Sequence, residues 1–181
     1  MFACNSKYMK CFQFVMFWGL LCIVGVSGCR KRRPYCHGDY CNCGDQPVCD
    51  VNCGDVDGCT IDCLSVDQCV GVCDHDCFVN CADMTDCTAD CLDDCRVDCS
   101  RTSTCNALCD KRCDLMCNNT SRCDGRVGDD SHVLCTQFGS CNIRCTGNCT
   151  VECPQGGCNV TCETKNRQNC PNNKIVCGGS C

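Results

Sequence analysis

Cysteines recur through the middle of this chain at intervals of four, six, four and four residues, so that the pattern repeats every eighteen positions from Cys59 to Cys162. One unit reads Cys59-Thr-Ile-Asp-Cys63, a five-residue bend, Cys69-Val-Gly-Val-Cys73 and a three-residue bend, and the next unit begins at Cys77. A fixed period of this kind indicates stacked repeats that bury their apolar faces against one another. The spacing therefore predicts a solenoid.

Each five-residue block follows the pattern Cys-x-φ-x-Cys, in which φ is usually an aliphatic residue such as Ile61 or Val79. In a strand, side chains i, i+2 and i+4 share a face, so both cysteines and the central aliphatic residue point inward together. The bends are rich in Asp, Asn and Gly, which favour turns. The sequence therefore predicts an all-β, disulfide-rich β-solenoid with 18-residue coils of two short strands each, covering residues 49–162.

A helical arrangement is the competing interpretation, because cysteines four residues apart also share a helix face and occur in disulfide-bonded helical hairpins. The connections here are too short for that fold. Three or five residues between cysteine pairs leave no room for helices of about 10 residues or more, and the β-branched central residues favour strands.

The register predicts an inner set of disulfides, because folding a coil at its five-residue bend brings the cysteine before the bend opposite the cysteine after it. Cysteines at the two ends of one strand are about 13 Å apart at 3.3 Å per residue, which is too far to bond. The inner pairs are Cys63 with Cys69, Cys81 with Cys87, Cys99 with Cys105, Cys117 with Cys123, Cys135 with Cys141, and Cys153 with Cys158.

An outer set follows if the remaining cysteines also pair within one coil. These pairs are Cys59 with Cys73, Cys77 with Cys91, Cys95 with Cys109, and Cys149 with Cys162. Val127 and Ser131 stand where the partners of Cys113 and Cys145 are expected. We therefore predict a bridge from Cys113 to Cys145 between neighbouring coils, which pairs all the cysteines of the repeat.

The first 28 residues have the features of a secretory signal peptide, with an apolar run from Phe12 to Val26 after two lysines. The run is shorter than the ~20 residues of a membrane-spanning helix. An uncleaved anchor and lipidation of Cys29 are the alternatives. Arg33 ends the sequence Arg-Lys-Arg-Arg, which resembles the site cut by furin-type proprotein convertases. We assign 29–48 to a basic leader and N-terminal cap, and 163–181 to a C-terminal cap.

The cysteine content predicts a secreted, extracellular protein, because 34 cysteines in 181 residues far exceed what a reducing compartment uses. Four asparagines stand in glycosylation sequons: Asn118, Asn119, Asn148 and Asn159. Residues 34–58 contain five cysteines and residues 163–181 contain three, and these two terminal sets lie too far apart to bond with each other. The sequence therefore predicts disulfide-linked self-association through the caps.

No catalytic motif is found in the sequence, and the three histidines are scattered, so we expect neither an enzyme nor a catalytic cofactor. Thiolate metal binding is disfavoured, because only Cys41-Asn-Cys43 has a typical thiolate spacing. The net charge of −6 argues against nucleic acid as a partner, since nucleic acid requires clustered Lys and Arg.

Carboxylates recur at the three-residue bends and are expected to stack along one edge at about 4.8 Å per coil. They are Asp74, Asp76, Asp93, Asp94, Asp129 and Asp130, with Lys111 and Arg112 interrupting the row. Calcium is bound by several oxygens, so these carboxylates are candidate calcium ligands. The alternative is a solvated acidic ridge that keeps the protein soluble.

The arrangement of disulfide-bridged coils resembles that of the beetle antifreeze proteins, which are small β-solenoids. That resemblance implies the fold and suggests ice binding. The outward pairs here, such as Thr60/Asp62 and Thr88/Asp90, do not form the Thr-x-Thr ladder of those proteins. We therefore predict a secreted, disulfide-stabilised structural or interaction protein whose partner is an unknown extracellular protein or surface. An antifreeze-like protein and a cysteine-rich toxin or defence protein are the alternatives.

Overall fold

A computed structural model describes residues 35–44, 46–54, 56–163 and 165–181. The chain divides into two compact units, Met1–Arg32 and Arg33–Cys181, and the described residues all belong to the second. The predicted signal peptide and the predicted cleavage site at Arg33 lie outside the described residues. In the part that is described, no helix is long and apolar enough to cross a membrane.

The second unit is a β-solenoid of about 7 turns, as the cysteine period predicts. Among its described residues there is one short 3-10 helix, Pro171–Asn173, near the C-terminal end. Its strands are β1 Tyr35–His37, β2 Tyr40–Asn42, β3 Val48–Asn52, β4 Thr60–Leu64, β5 Gln68–His75, β6 Phe78–Asp93, β7 Arg96–Lys111, β8 Asp114–Asn118, β9 Arg122–Asp129, β10 Ser131–Thr136, β11 Ser140–Cys145, β12 Cys149–Glu152, β13 Asn159–Cys162, β14 Arg167–Cys170 and β15 Lys174–Cys177.

The strands stack in two faces, and most neighbours are parallel with a register of eighteen residues, as in Val79↔Val97 and Cys81↔Cys99. The first face runs in the order β1-β2-β4-β6-β7-β8-β10-β12-β15-β14. The second face runs β3-β5-β6-β7-β9-β11-β13, and β6 and β7 belong to both faces because each continues through its five-residue bend. Antiparallel strands end the first face, with β1 beside β2 and β15 between β12 and β14.

The core lies between the two faces and consists of cysteines and one central residue per strand. The first face supplies large residues, and Val79 and Leu115 are completely buried. In four successive coils the second face supplies small ones, namely Gly71, Ala89, Ala107 and Gly125. A Cβ atom added to Gly125 would lie 2.8 Å from Cδ2 of Leu115 and 2.9 Å from Cδ1 of Ile143. Leu115 of the first face and Ile143, the neighbour of Gly125 on the second face, therefore fill the space next to Gly125.

A third inward row lies in the five-residue bends, where the sequence analysis placed only turn residues. The second residue of each bend is left-handed, including Asp83 with φ 56° and Arg101 with φ 55°. This turns the third residue toward the core. The third residues of the five bends are Val66, Met84, Thr102, Thr120 and Phe138, of which the first four are buried and Phe138 packs against the core.

Candidate functional site

The inner disulfides close the five-residue bends, and the structure bonds all six of the inner pairs given by the sequence. Their Cα atoms are 6.1 to 6.7 Å apart, within the range that disulfides span. The bonded pairs are Cys63–Cys69, Cys81–Cys87, Cys99–Cys105, Cys117–Cys123, Cys135–Cys141 and Cys153–Cys158. One edge of the solenoid is therefore a continuous disulfide ladder.

The outer disulfides differ from the predicted set. The structure bonds Cys53 to Cys59, Cys145 to Cys149 and Cys162 to Cys177. The predicted bridges Cys59–Cys73, Cys149–Cys162 and Cys113–Cys145 are therefore wrong. The sequence argument paired cysteines within one coil, whereas Cys145 and Cys149 lie on either side of a three-residue bend and their Cα atoms are 6.0 Å apart.

Both caps form their own disulfides and are also bonded to the repeat. The pairs Cys36–Cys41, Cys43–Cys49 and Cys170–Cys181 lie within the terminal segments. The odd cysteine at each end bonds into the solenoid, through Cys53–Cys59 and Cys162–Cys177. The odd counts therefore require no bond between two chains, and self-association through the caps stays a prediction without this support.

Six cysteines are free thiols in the described chain, and all six are buried: Cys73, Cys77, Cys91, Cys95, Cys109 and Cys113. The structure thus leaves the predicted pairs Cys77–Cys91 and Cys95–Cys109 unbonded. The thiols interact closely. Hydrogen bonding to the Cys91 thiol and then burial raise the pKa of Cys73, and burial followed by hydrogen bonding to Cys73 raises the pKa of Cys77.

A repeated hydrogen bond fixes the second thiol of each pair against its bend. The thiol of Cys77 donates to the carbonyl of His75 at 3.3 Å, and that of Cys95 donates to the carbonyl of Asp93 at 3.2 Å. In the next coil the thiol of Cys113 donates to the carbonyl of Lys111, also at 3.2 Å. Three successive three-residue bends therefore have the same local geometry.

The carboxylates at these bends lie along the short-bend edge, the edge formed by residues 74–76, 92–94, 110–112, 128–130 and 146–148. Arg112 binds two of them, with its guanidinium 2.6 Å from Oδ2 of Asp94 and 2.8 Å from Oδ2 of Asp93. Hydrogen bonding to Arg112 holds the pKa of Asp94 below its usual value. Asp129 accepts a hydrogen bond from the backbone N–H of Asn148 at 2.8 Å. The carboxylates of Asp93 and Asp94, which the sequence predicts to bind calcium, thus form ion pairs with the guanidinium of Arg112.

The other predicted calcium ligands, Asp74, Asp76 and Asp130, lie on the same edge. Asp76 and Asp130 are exposed and have left-handed backbones with φ 53° and 57°. Lys111 lies in register between Asp93 and Asp129, so basic residues from one coil separate the carboxylates on either side. Calcium binding at this edge stays a prediction.

The first face carries a series of contacts between side chains of successive coils. The hydroxyl of Tyr40 and the amide of Asn80 both donate to Asp62, at 3.0 and 2.9 Å. The guanidinium of Arg96 lies 5.5 Å from the centre of the Phe78 ring, a cation–π distance. The outward side chains of successive coils on this face therefore contact one another through hydrogen bonds and a cation–π interaction.

Toward the C-terminal cap, the same face brings titratable side chains of successive coils close together. His132 lies 3.8 Å from Asp114 and 3.6 Å from Glu152, and Lys174 lies 3.4 Å from Glu152. His37 and His75 belong to other coils, β1 and β5, so the histidines do not come together. Lys174 and Glu152 thus form an ion pair, and the His132 ring lies within 4 Å of a carboxylate on each neighbouring coil.

The second face is also polar, and it exposes a few apolar side chains. Asn142 donates to Asp124 at 2.9 Å, and Asn159 donates to Asn142 at 3.4 Å. Val70 and Leu108 are exposed on this face. The amides and carboxylates therefore form a hydrogen-bonded row across successive coils.

The asparagines of the predicted sequons differ in their surroundings. Asn118, Asn119 and Asn159 are exposed, whereas Asn148 is half-buried. Asn118 accepts a hydrogen bond from the Thr136 hydroxyl at 3.1 Å. Glycosylation at these positions stays a prediction.

Comparisons with protein-family models, with curated proteins and with solved structures found no match to this chain.

Proposed function

We propose that this protein is an extracellular structural scaffold, in which disulfide-bridged coils hold two polar faces for contact with an extracellular protein or surface. A disulfide-rich β-solenoid fits a stable extracellular structural protein. The observation that carries the proposal is the inner disulfide ladder, with one bridge in each of six successive coils.

The inner disulfide ladder supports this function because the apolar core is too thin to stabilise the coils without it. Each strand contributes one central residue between its cysteines, and each five-residue bend adds one inward side chain. So little apolar area per coil does not offset the entropy of ordering about eighteen residues. A disulfide that closes a loop of about seven residues contributes roughly 2 to 3 kcal/mol in the chain-entropy model. The bridges therefore supply most of the stability, and they persist only in an oxidising compartment.

Acidic side chains outnumber basic ones in this unit, since all 22 Asp and Glu residues but only ten of the 16 Lys and Arg residues follow Arg33, and ion pairs between coils form at the bends. Arg101 pairs with Asp83 at 2.7 Å and Arg112 pairs with Asp94, and in both cases the partners lie one coil apart. Such surfaces favour a scaffold that meets its partner through shape and hydrogen bonds over a polyanion-binding protein.

The proposal is tested by expressing the full chain in a secreting cell and digesting the product from the medium with trypsin. Arg101 and Arg112 are exposed, so slow cleavage reports a rigid backbone and not hidden sites. We expect the oxidised protein to resist digestion and the reduced, alkylated protein to be cleaved rapidly. Retention inside the cell with free inner cysteines, or equal cleavage of both forms, contradicts the proposal.

A matched pair of variants localises the effect. Replacing Cys99 and Cys105 with Ser opens the bend that contains Arg101, so trypsin should cut there first. Replacing Cys117 and Cys123 opens the next bend and should direct the first cut to Arg122. Thermal hysteresis in the secreted protein would assign ice binding instead, and loss of viability in exposed cells would assign a toxin or defence function.

A further inference from the structure

Two columns of residues run along the short-bend edge, one on each side of the three-residue bends. The first column contains the residue before each three-residue bend, and the second contains the residue after it. At the two ends the columns continue through Cys53 opposite Cys59 and Cys162 opposite Cys177, which are joined by longer connections. The first reads Cys53, Cys73, Cys91, Cys109, Val127, Cys145 and Cys162. The second reads Cys59, Cys77, Cys95, Cys113, Ser131, Cys149 and Cys177.

We call two residues that face each other from the two columns a level. Every disulfide at this edge joins the two residues of one level. Cys53 bonds Cys59 at the N-terminal end, and Cys145 bonds Cys149 further along. Cys162 bonds Cys177 at the C-terminal end. The six free thiols are the cysteines of the two columns at the three levels between Cys53–Cys59 and the level of Val127 and Ser131.

One level contains no cysteine, and its composition also supports pairing across the three-residue bends. Val127 and Ser131 lie opposite each other across one three-residue bend, so both partners of a cross-bend pair are replaced together. Ser131 keeps the local geometry, because its hydroxyl donates to the carbonyl of Asp129, two residues earlier, as the cysteine thiols do. Pairing within each coil would instead leave Cys113 and Cys145 without partners.

We propose that the free thiols form three further disulfides across the three-residue bends, Cys73–Cys77, Cys91–Cys95 and Cys109–Cys113, and so complete a second ladder along the short-bend edge. In each step two thiols lose two electrons and two protons to a small-molecule disulfide such as oxidised glutathione, which is reduced to two thiols. One sulfur–sulfur bond forms in the protein and one breaks in the oxidant.

The spacing of each pair matches a bond that the structure contains. Four residues separate Cys145 from Cys149, and four also separate the two members of each free pair. All six thiols are buried, so the oxidant must act while the chain is folding. This inference rests on the proposed function only in requiring an oxidising compartment, and refolding in vitro removes that dependence.

The test is a disulfide map of the full chain, both as secreted and after refolding with reduced and oxidised glutathione. The unreduced protein is denatured at acid pH, alkylated and digested. Trypsin cuts after Lys111 and Arg112 and separates Cys109 from Cys113, and cleavage before Asp74, Asp76, Asp93 and Asp94 separates the other two pairs. We expect no alkylated cysteine among these six and linked peptides for all three pairs. Bridges in the refolded protein alone would count against the extracellular function but support this pairing.

Serine variants distinguish the two ways of pairing. Cys109→Ser with Cys113→Ser removes one proposed bridge and should leave no free thiol among the remaining four. Cys95→Ser with Cys109→Ser removes one member from each of two proposed bridges and should leave both Cys91 and Cys113 free. A map linking Cys77 to Cys91 or Cys95 to Cys109 would overturn the proposal. So would six free thiols in the oxidised chain, or zinc or copper released together with those thiols on acidification.

Discussion

The hydroxyl of Ser131 accepts a hydrogen bond from the backbone N–H of Cys113 at 3.2 Å, so serine stands one coil away from a cysteine in the same column. Across the bend, Val127 is completely buried. These two residues mark the single level between Cys53–Cys59 and Cys162–Cys177 at which no sulfur–sulfur bond can form.

Replacing both Val127 and Ser131 with Cys should add a bridge at this level. A closed loop of about five residues contributes about 2 kcal/mol in the chain-entropy model, so the denaturant midpoint should rise. Peptide mapping should link position 127 to position 131. The Ser131→Cys variant alone is the control, since it should gain one reactive thiol and no stability. Links from 113 to 127 and from 131 to 145 would instead restore pairing within each coil.

The buried threonines of the bends should contribute through their hydroxyls. Thr120 donates to the carbonyl of Cys99 at 3.1 Å, and the hydroxyl of Thr102 lies 3.4 Å from that of Thr120. Replacing Thr120 with Val leaves a buried carbonyl without this donor and should cost about 1 to 3 kcal/mol in unfolding free energy. Thr120→Ser keeps the hydroxyl and the sequon, and should lose less. Denaturation of unglycosylated, refolded protein measures both, and equal losses would refute the role of the hydroxyl.

Gly125 should not tolerate a side chain. Its added Cβ would lie within 3 Å of side-chain atoms of Leu115 and Ile143, both of which are buried. Overpacking of this kind costs about 1 to 3 kcal/mol, so Gly125→Ala should lower the denaturant midpoint. Combining it with Leu115→Val makes room and should cost less than the sum of the two single changes. A strictly additive double variant would show that the two positions do not compete for space.

Removing Arg112 should raise the pKa of the Asp94 carboxyl. Because hydrogen bonding to Arg112 lowers the pKa of Asp94 in the folded chain, the carboxylate stabilises the fold above its unfolded pKa. This contribution is lost as pH falls through the lower, folded value. Arg112→Gln should therefore raise the pKa of Asp94 and weaken the pH dependence of stability below about pH 4. NMR titration of the Asp94 carboxyl measures the shift, and an unchanged pKa would contradict it.

Calcium should stabilise the folded protein more strongly once Arg112 is removed. In the native chain its guanidinium binds Asp93 and Asp94, so these oxygens are not free for a metal ion. We expect calcium at about 1 mM, a level at which extracellular modules bind it, to raise the melting temperature of Arg112→Gln more than that of the native protein. The variant with Asp93 and Asp94 also changed to Asn is the control and should not respond. Equal responses of all three proteins would place any calcium elsewhere.

The fold and the inner ladder could be predicted from sequence because each depends on positions close together in the chain. Cys63 and Cys69 have one short bend between them, and pairing across each such bend leaves no cysteine of this edge without a partner. The outer pairs could not be predicted in the same way. The spacing allows Cys73 to pair either with Cys59 of its own coil or with Cys77 across a three-residue bend, and the bond from Cys59 to the N-terminal Cys53 has no counterpart in the repeat pattern.

The inward residues of the five-residue bends and the contacts between coils were not predicted, although the sequence contains a signal for both. Val66 and Met84 lie eighteen residues apart in bends where apolar residues are not needed for turning, which marks them as inward. Contacts between coils follow the same count, since Asp83 and Arg101 differ by eighteen and form an ion pair. Adding eighteen to a residue number thus identifies its neighbour wherever the register is unbroken.

The eighteen-residue register also makes length an adjustable property of this architecture. Removing residues 77–94 would take out one whole coil with its inner bridge, bring Cys73 opposite Cys95 across an unchanged bend, and place every remaining strand on an equivalent neighbour. The number of coils is therefore limited only by the antiparallel strands at the two ends of the first face. Duplication or loss of a single gene segment of this size would keep the strand register and the inner ladder, and would change only the side-chain contacts of the coils on either side, such as those of Arg101 with Asp83 and Arg112 with Asp94.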